Sequence, residues 1–103
     1  MQSYPVRTSH RKNLDPEAIG AIARRHFDSV RVGGTEVEAS YGAIEHLTAR
    51  PEGRALGIEV RMNPRVEETV ARETIGRYNR FLEEITGFSA RERARRLRKP
   101  AGA

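Results

Sequence analysis

Apolar positions along the chain fall into segments of two different periods. Tyr4 to Thr8 alternates around Val6 and predicts a short opening strand. Pro5 has no backbone donor, which puts this strand at a sheet edge or Pro5 at its start. His10 to Asn13 is polar and predicts a loop. Asn13 or Asp15 can then cap a helix whose first turn holds Pro16 and Glu17. Ile19, Ile22, Ala23, His26 and Phe27 recur at spacings of three and four and give this helix one apolar face, ending near Phe27.

The period then changes to two. Ser29 to Val32 runs into Gly33-Gly34, a pair able to take the positive φ of a tight hairpin turn. Thr35, Val37, Ala39 and Tyr41 alternate, Gly42 marks a break or bulge, and Ala43 to Ala49 forms a less regular strand. Arg50-Pro51-Glu52-Gly53 suits a turn, with Pro at its second position. Leu56, Ile58, Val60 and Met62 give the clearest alternation in the protein.

Asn63 as cap and Pro64 at the first helical position predict the start of the longest helix. Its apolar stripe is Val66, Val70, Ile75, Tyr78, Leu82 and Ile85, flanked by Thr74 and Phe81. Gly87 stops it. Ser89-Ala90-Arg91-Glu92 matches a capping box and predicts a second short helix. Pro100 to Ala103 is expected to be disordered.

The resulting order, β-α-β-β-β-β-α-α, predicts an α+β fold. Its simplest form is a two-layer α/β sandwich: a mainly antiparallel five-stranded sheet with the helices on one face, burying both helical stripes. No repeat or linker divides the chain. Residues 1–88 read as a single α+β domain and residues 89–103 as a basic C-terminal helix with a disordered end. A domain of 103 residues buries a modest core, so homodimerisation is one expected source of added stability.

Composition narrows the chemistry. There is no cysteine, which excludes disulfides, thiolate nucleophiles and thiolate metal sites. No apolar run suits a membrane span or a signal peptide, so the expectation is a cytoplasmic protein without membrane contact. The 17 Arg against 2 Lys carry no functional weight, since genome composition can produce the same bias. Charge placement is more informative. Residues 89–103 hold Arg91, Arg93, Arg95, Arg96, Arg98 and Lys99 against Glu92, a net of +5, while the other 88 residues balance at 13 basic and 13 acidic side chains.

Candidate constellations are few. His10, His26 and His46 share no ligand spacing, so no metal is expected. Glu67, Glu68, Glu73, Glu83 and Glu84 alternate with Arg65, Arg72, Arg77 and Arg80, as on a solvated helix face. Gly33-Gly34 lacks the context of a phosphate loop, and no serine sits in a nucleophile elbow. No catalytic residue, cofactor or small-molecule ligand is indicated. The face opposite Leu56, Ile58 and Val60 carries Ala55, Gly57, Glu59 and Arg61, which is no platform for stacking bases. Asn79 is a poor helix former inside the long helix, suited to bonding a sheet edge or a partner chain, or simply exposed.

The tail remains. Arg91, Arg93, Arg95, Arg96, Arg98 and Lys99 form a candidate nucleic-acid-binding surface, which Arg7, Arg11 and Lys12 extend if the chain ends lie close together. The alternative is a protein-interaction or homodimerisation module, using the long helix or an open sheet edge, with the tail only solubilising.

Residues 73–93, Glu-Thr-Ile-Gly-Arg-Tyr-Asn-Arg-Phe-Leu-Glu-Glu-Ile-Thr-Gly-Phe-Ser-Ala-Arg-Glu-Arg, together with Ser40-Tyr41-Gly42-Ala43, resemble a family of small uncharacterised archaeal proteins. The resemblance runs over nearly the whole chain. It implies a two-layer α/β sandwich and an archaeal source, and it transfers no activity and no catalytic residues.

Overall fold

A computed structural model describes residues 2–98. Strand β1 (Gln2–Pro5) is followed by a short 3-10 helix (Thr8–Asn13) and helix α1 (Pro16–His26). Four strands come next: β2 (Ser29–Val32), β3 (Val37–Tyr41), β4 (Ile44–Glu52) and β5 (Ala55–Met62). Helices α2 (Glu68–Thr86) and α3 (Ala90–Arg98) end the described chain. The strands form one antiparallel sheet of order β1-β5-β4-β3-β2. Three consecutive hairpins build four of its strands, and β1 returns to pair with the last of them. The expected α+β sandwich is the observed architecture.

Register places the apolar set on one face. Tyr4 sits opposite Leu56, Ala49 opposite Ile58, Leu47 opposite Ala39 and Val37 opposite Ala49. These side chains meet Ile19, Ile22, Ala23 and Phe27 of the α1 region and Phe81, Leu82 and Ile85 of α2 in a single core. Phe27 and Phe81 pack ring to ring at 4.9 Å between centroids. The alternation seen in the sequence is therefore the signature of a sheet covered on one side only.

Several local expectations need correction. The polar stretch before α1 is not a loop but the end of the 3-10 helix, whose Asn13 side chain donates to the Glu84 and Ile85 carbonyls of α2. Asp15 is the residue that caps α1, accepting from the Ala18 N–H. Gly33 and Gly34 do not adopt positive φ. The β2–β3 connection is longer than a two-residue turn and closes with a Gly33 N–H to Glu36 carbonyl bond. Gly42 is itself the hairpin residue between β3 and β4, with φ +51°. A Cβ there would run into the Thr74 hydroxyl. Register shifts flank this turn on both sides, between Ala39 and Tyr41 and between Ile44 and His46.

Strand β4 continues through Pro51 to Glu52, and the turn falls on Gly53-Arg54. Pro51 is tolerated because β4 outruns β3: the last β3 partner is Val37, opposite Ala49, so no neighbour on that side awaits a donor. Helix α2 starts at Glu68, not Pro64. The Asn63 side chain accepts from the Arg65 N–H and folds the segment before the helix into a local turn. Within α2, Thr74 and Phe81 are fully buried, whereas Ile75 is 50% exposed. The rest of the expected stripe holds, with Leu82 and Ile85 buried and Tyr78 packed against the core, so Ile75 alone leaves it and the Thr74 hydroxyl beside it lies inside. It donates to the Val70 carbonyl and accepts from the Ala43 N–H, fastening the β3–β4 hairpin to the helix.

Candidate nucleic-acid interface

The geometry of the basic end starts at the C-terminus of α2. Buried Thr86 donates its hydroxyl to the Leu82 carbonyl and receives the Phe88 N–H. Gly87 then turns the chain at φ +79°, with its N–H bonded to the Glu83 carbonyl. Ser89 and Glu92 form the expected capping box: the Ser89 N–H donates to the Glu92 carboxylate and the Glu92 N–H to the Ser89 hydroxyl. These bonds hold the Glu92 carboxyl below the usual carboxylate range, the Ser89 backbone donor contributing most and Arg7 adding its charge.

The N-terminus joins the same structure. The Arg7 N–H donates to the Thr86 carbonyl at 2.9 Å. Its guanidinium donates to the Gly87 carbonyl at 2.8 Å and to Glu92 at 2.9 Å. The guanidinium carbon of Arg7 lies 4.5 Å from the Phe88 ring centroid, and that of Arg96 lies 4.1 Å from it. Phe88 is thus buried in contact with two cations, one following β1 and one in α3.

Arg93 departs from its expected role. It is 3% exposed and points inward, donating to the Phe88 carbonyl at 2.7 Å and to the Asn79 side-chain oxygen at 3.0 Å. Burial lowers its pKa, opposed by Tyr4, Tyr78 and Glu83 nearby, and arginine remains charged under such conditions. Burial likewise pushes the Tyr78 hydroxyl up, with the Tyr4 hydroxyl adding to the effect. Arg93 is therefore removed from the candidate nucleic-acid set, because a guanidinium engaged by a carbonyl and an amide inside the protein cannot reach a phosphate. Asn79 finds its partner here, in α3 of its own chain.

What α3 presents outward is Arg91, Arg95 and Arg96, all exposed. Arg98 ends the helix, and Lys99 and the segment Pro100 to Ala103 lie outside the described residues. Beside Arg96 a groove of about 540 Å³ is lined by Arg7, Thr8, Ser9, Arg11, Phe88 and neighbouring residues of β1's end. Among the described residues, Arg11, Arg91, Arg95 and Arg96 have no carboxylate in ion-pair contact. Among the described residues the segment after β1 lies against α3, and Arg7, Arg11 and Arg96 share one groove.

Elsewhere the surface is balanced. On the open face of the sheet Arg31 pairs with Glu38, and Arg50 with Glu52. A polar cleft of about 300 Å³ there includes Ser29, Glu38, Ser40, Glu45 and His46. His26 bonds Glu84, which Arg25 also engages, and His10 bonds Ser9. Among the described residues no group of three or more His, Cys, Asp or Glu side chains is placed to hold a metal ion. No described helix is long and apolar enough to cross a membrane.

Fold and site together define a small α+β sandwich whose chain ends are clasped around one aromatic ring by a basic terminal helix. The chain belongs to the family described as a domain of unknown function, DUF5611, whose model matches residues 1–99. The NMR solution structure of hypothetical protein TA0095 from Thermoplasma acidophilum, an archaeon, is similar, with a TM-score of 0.68 and 26% sequence identity over 97% of this chain and 100% of that one. No curated protein matches. The resemblance seen in residues 73–93 is thus a family relationship, to proteins without an assigned activity.

Proposed function

We propose that this is a cytoplasmic, non-enzymatic nucleic-acid-binding module that contacts the phosphate backbone through Arg91, Arg95 and Arg96 of α3, with Arg98 and Lys99 continuing the run in sequence. The observation that carries the reading is the convergence of Arg11 and Arg96 on one groove, each without an ion-pair partner among the described residues. A neutral body with charge fixed at one place favours oriented electrostatic contact over a diffuse solubilising tail. Fluorescence anisotropy with labelled DNA and RNA across a salt series tests it. Affinity should fall steeply with salt, and Arg91→Glu with Arg95→Glu should weaken binding to every sequence and flatten the salt slope by roughly 0.7 to 0.9 per lost contact. Charge reversal is the better test than deleting residues 89–103, since deletion also removes Arg93 from the core. Wild-type protein that binds neither DNA nor RNA at low salt would falsify the proposal.

A second reading has its own observation. Ile75 is 50% exposed and Met62 41% exposed. Both lie where the β3–β4 hairpin meets α2, since Met62 pairs with Ile44 and Thr74 bonds Ala43. A protein or homodimer contact would cover them, and sedimentation over a concentration range distinguishes it: a strict monomer that captures no partner excludes this reading.

A further inference from the structure

We infer that Arg96 is a stacking platform for an unpaired base, so that the groove selects single-stranded over double-stranded nucleic acid; this rests on the phosphate-binding reading above. Arginine is exposed at position 96, yet it is not adrift. One side of its guanidinium is seated over the Phe88 ring at 4.1 Å, and Phe88 is only 4% exposed. Arg7 also lies over that ring, at 4.5 Å, and is itself tied to the Gly87 carbonyl and Glu92. Contact with a buried ring restrains the Arg96 guanidinium before any ligand arrives, which lowers the ordering cost of binding.

The groove beside it, about 540 Å³, is large enough for a nucleobase and is lined by the end of β1, the start of the 3-10 helix, Phe88 and Arg96 itself. A planar guanidinium presented in such a groove stacks on the π-face of any base, as arginine does in proteins that read splayed single strands. The phosphates on either side meet Arg11 and the outward cations of α3. A base inside a duplex is already stacked on both faces and cannot enter. The open-face positions of the sheet in β4 and β5 are His46, Thr48, Arg50 and Glu52, and Ala55, Gly57, Glu59 and Arg61, with no Phe, Tyr or Trp among them and with Arg50 held by Glu52.

Arg96→Lys separates planarity from charge. Binding is measured for a short single-stranded oligonucleotide, its duplex, and the same single strand carrying a fluorescent adenine analogue whose emission is quenched by stacking. The expected result is tighter binding of the single strand than of the duplex, with quenching. In Arg96→Lys, single-strand affinity should fall roughly 5-fold or more with the salt slope unchanged, and the quenching should disappear. Arg96→Ala should lose affinity and also flatten the slope. Circular dichroism confirms the fold of each variant. Binding that is equal for duplex and single strand, or unaltered in Arg96→Lys, overturns the inference while leaving the phosphate-binding reading intact. Absence of binding by any of these probes overturns both.

Discussion

A methyl group at position 87 would meet two obstacles at once. The backbone there has φ +79°, and a Cβ would stand 2.8 Å from the His10 ring and 2.9 Å from the Arg7 side chain. Gly87→Ala should therefore cost at least about 1–2 kcal/mol from the left-handed backbone alone, visible as a drop in thermal midpoint. Asn79 is a second test at this scale. Asn79→Ala removes the oxygen that receives the Arg93 guanidinium at 3.0 Å, and an uncompensated donor on a buried charge should cost about 1–3 kcal/mol by denaturant unfolding. Neither arrangement is visible in composition. Counting charge treats every arginine as outward-facing, and only the oddity of Asn inside a helix hinted that residue 79 had a partner. That the partner lies fourteen positions away on another helix is a fact of packing, not of local pattern.

Helix boundaries and faces were partly legible. Asp15, Gly87 and the Ser89–Glu92 box mark helix ends in the sequence because capping is a local hydrogen-bonding problem with few solutions. The start of α2 was misread, since Asn63-Pro64 makes a turn with the same residues that would cap a helix. The inner face of α2 departs from the pattern at one position: a threonine hydroxyl satisfied by Val70 and Ala43 counts as core, while the isoleucine beside it does not. Phe81→Ala should cost about 3–5 kcal/mol, whereas Ile75→Ala should change the stability of the isolated chain by less than about 0.5 kcal/mol. Equal effects in parallel unfolding curves would contradict the placement of Phe81 inside and Ile75 outside. The docking of α3 should also depend on pH. The Glu92 pKa is depressed in the folded state, so its contribution is complete above the ordinary carboxylate range and is lost as pH falls through and below that range. Amide protection in α3, taken against the intrinsic exchange rate at each pH, should fall on acidification, and Glu92→Gln should blunt that fall.

At the level of the whole molecule, the alternating strands were readable because an antiparallel sheet with one covered face writes its geometry directly into the sequence. The strand order was not, because the pairing of β1 with β5 joins residues 50 to 56 positions apart and leaves no local mark. The same distance governs the clasp around Phe88, where Arg7 reaches Gly87 and Glu92 across 80 and 85 positions. During synthesis the first strand emerges with nothing to pair against. Its sheet partner β5 is the last strand to be made, and its helical anchor at the end of α2 comes later still. Strand β1 is thus made early and among the last of the described elements to find its native contacts, so the sheet closes on this edge only after the helices that cover it have followed.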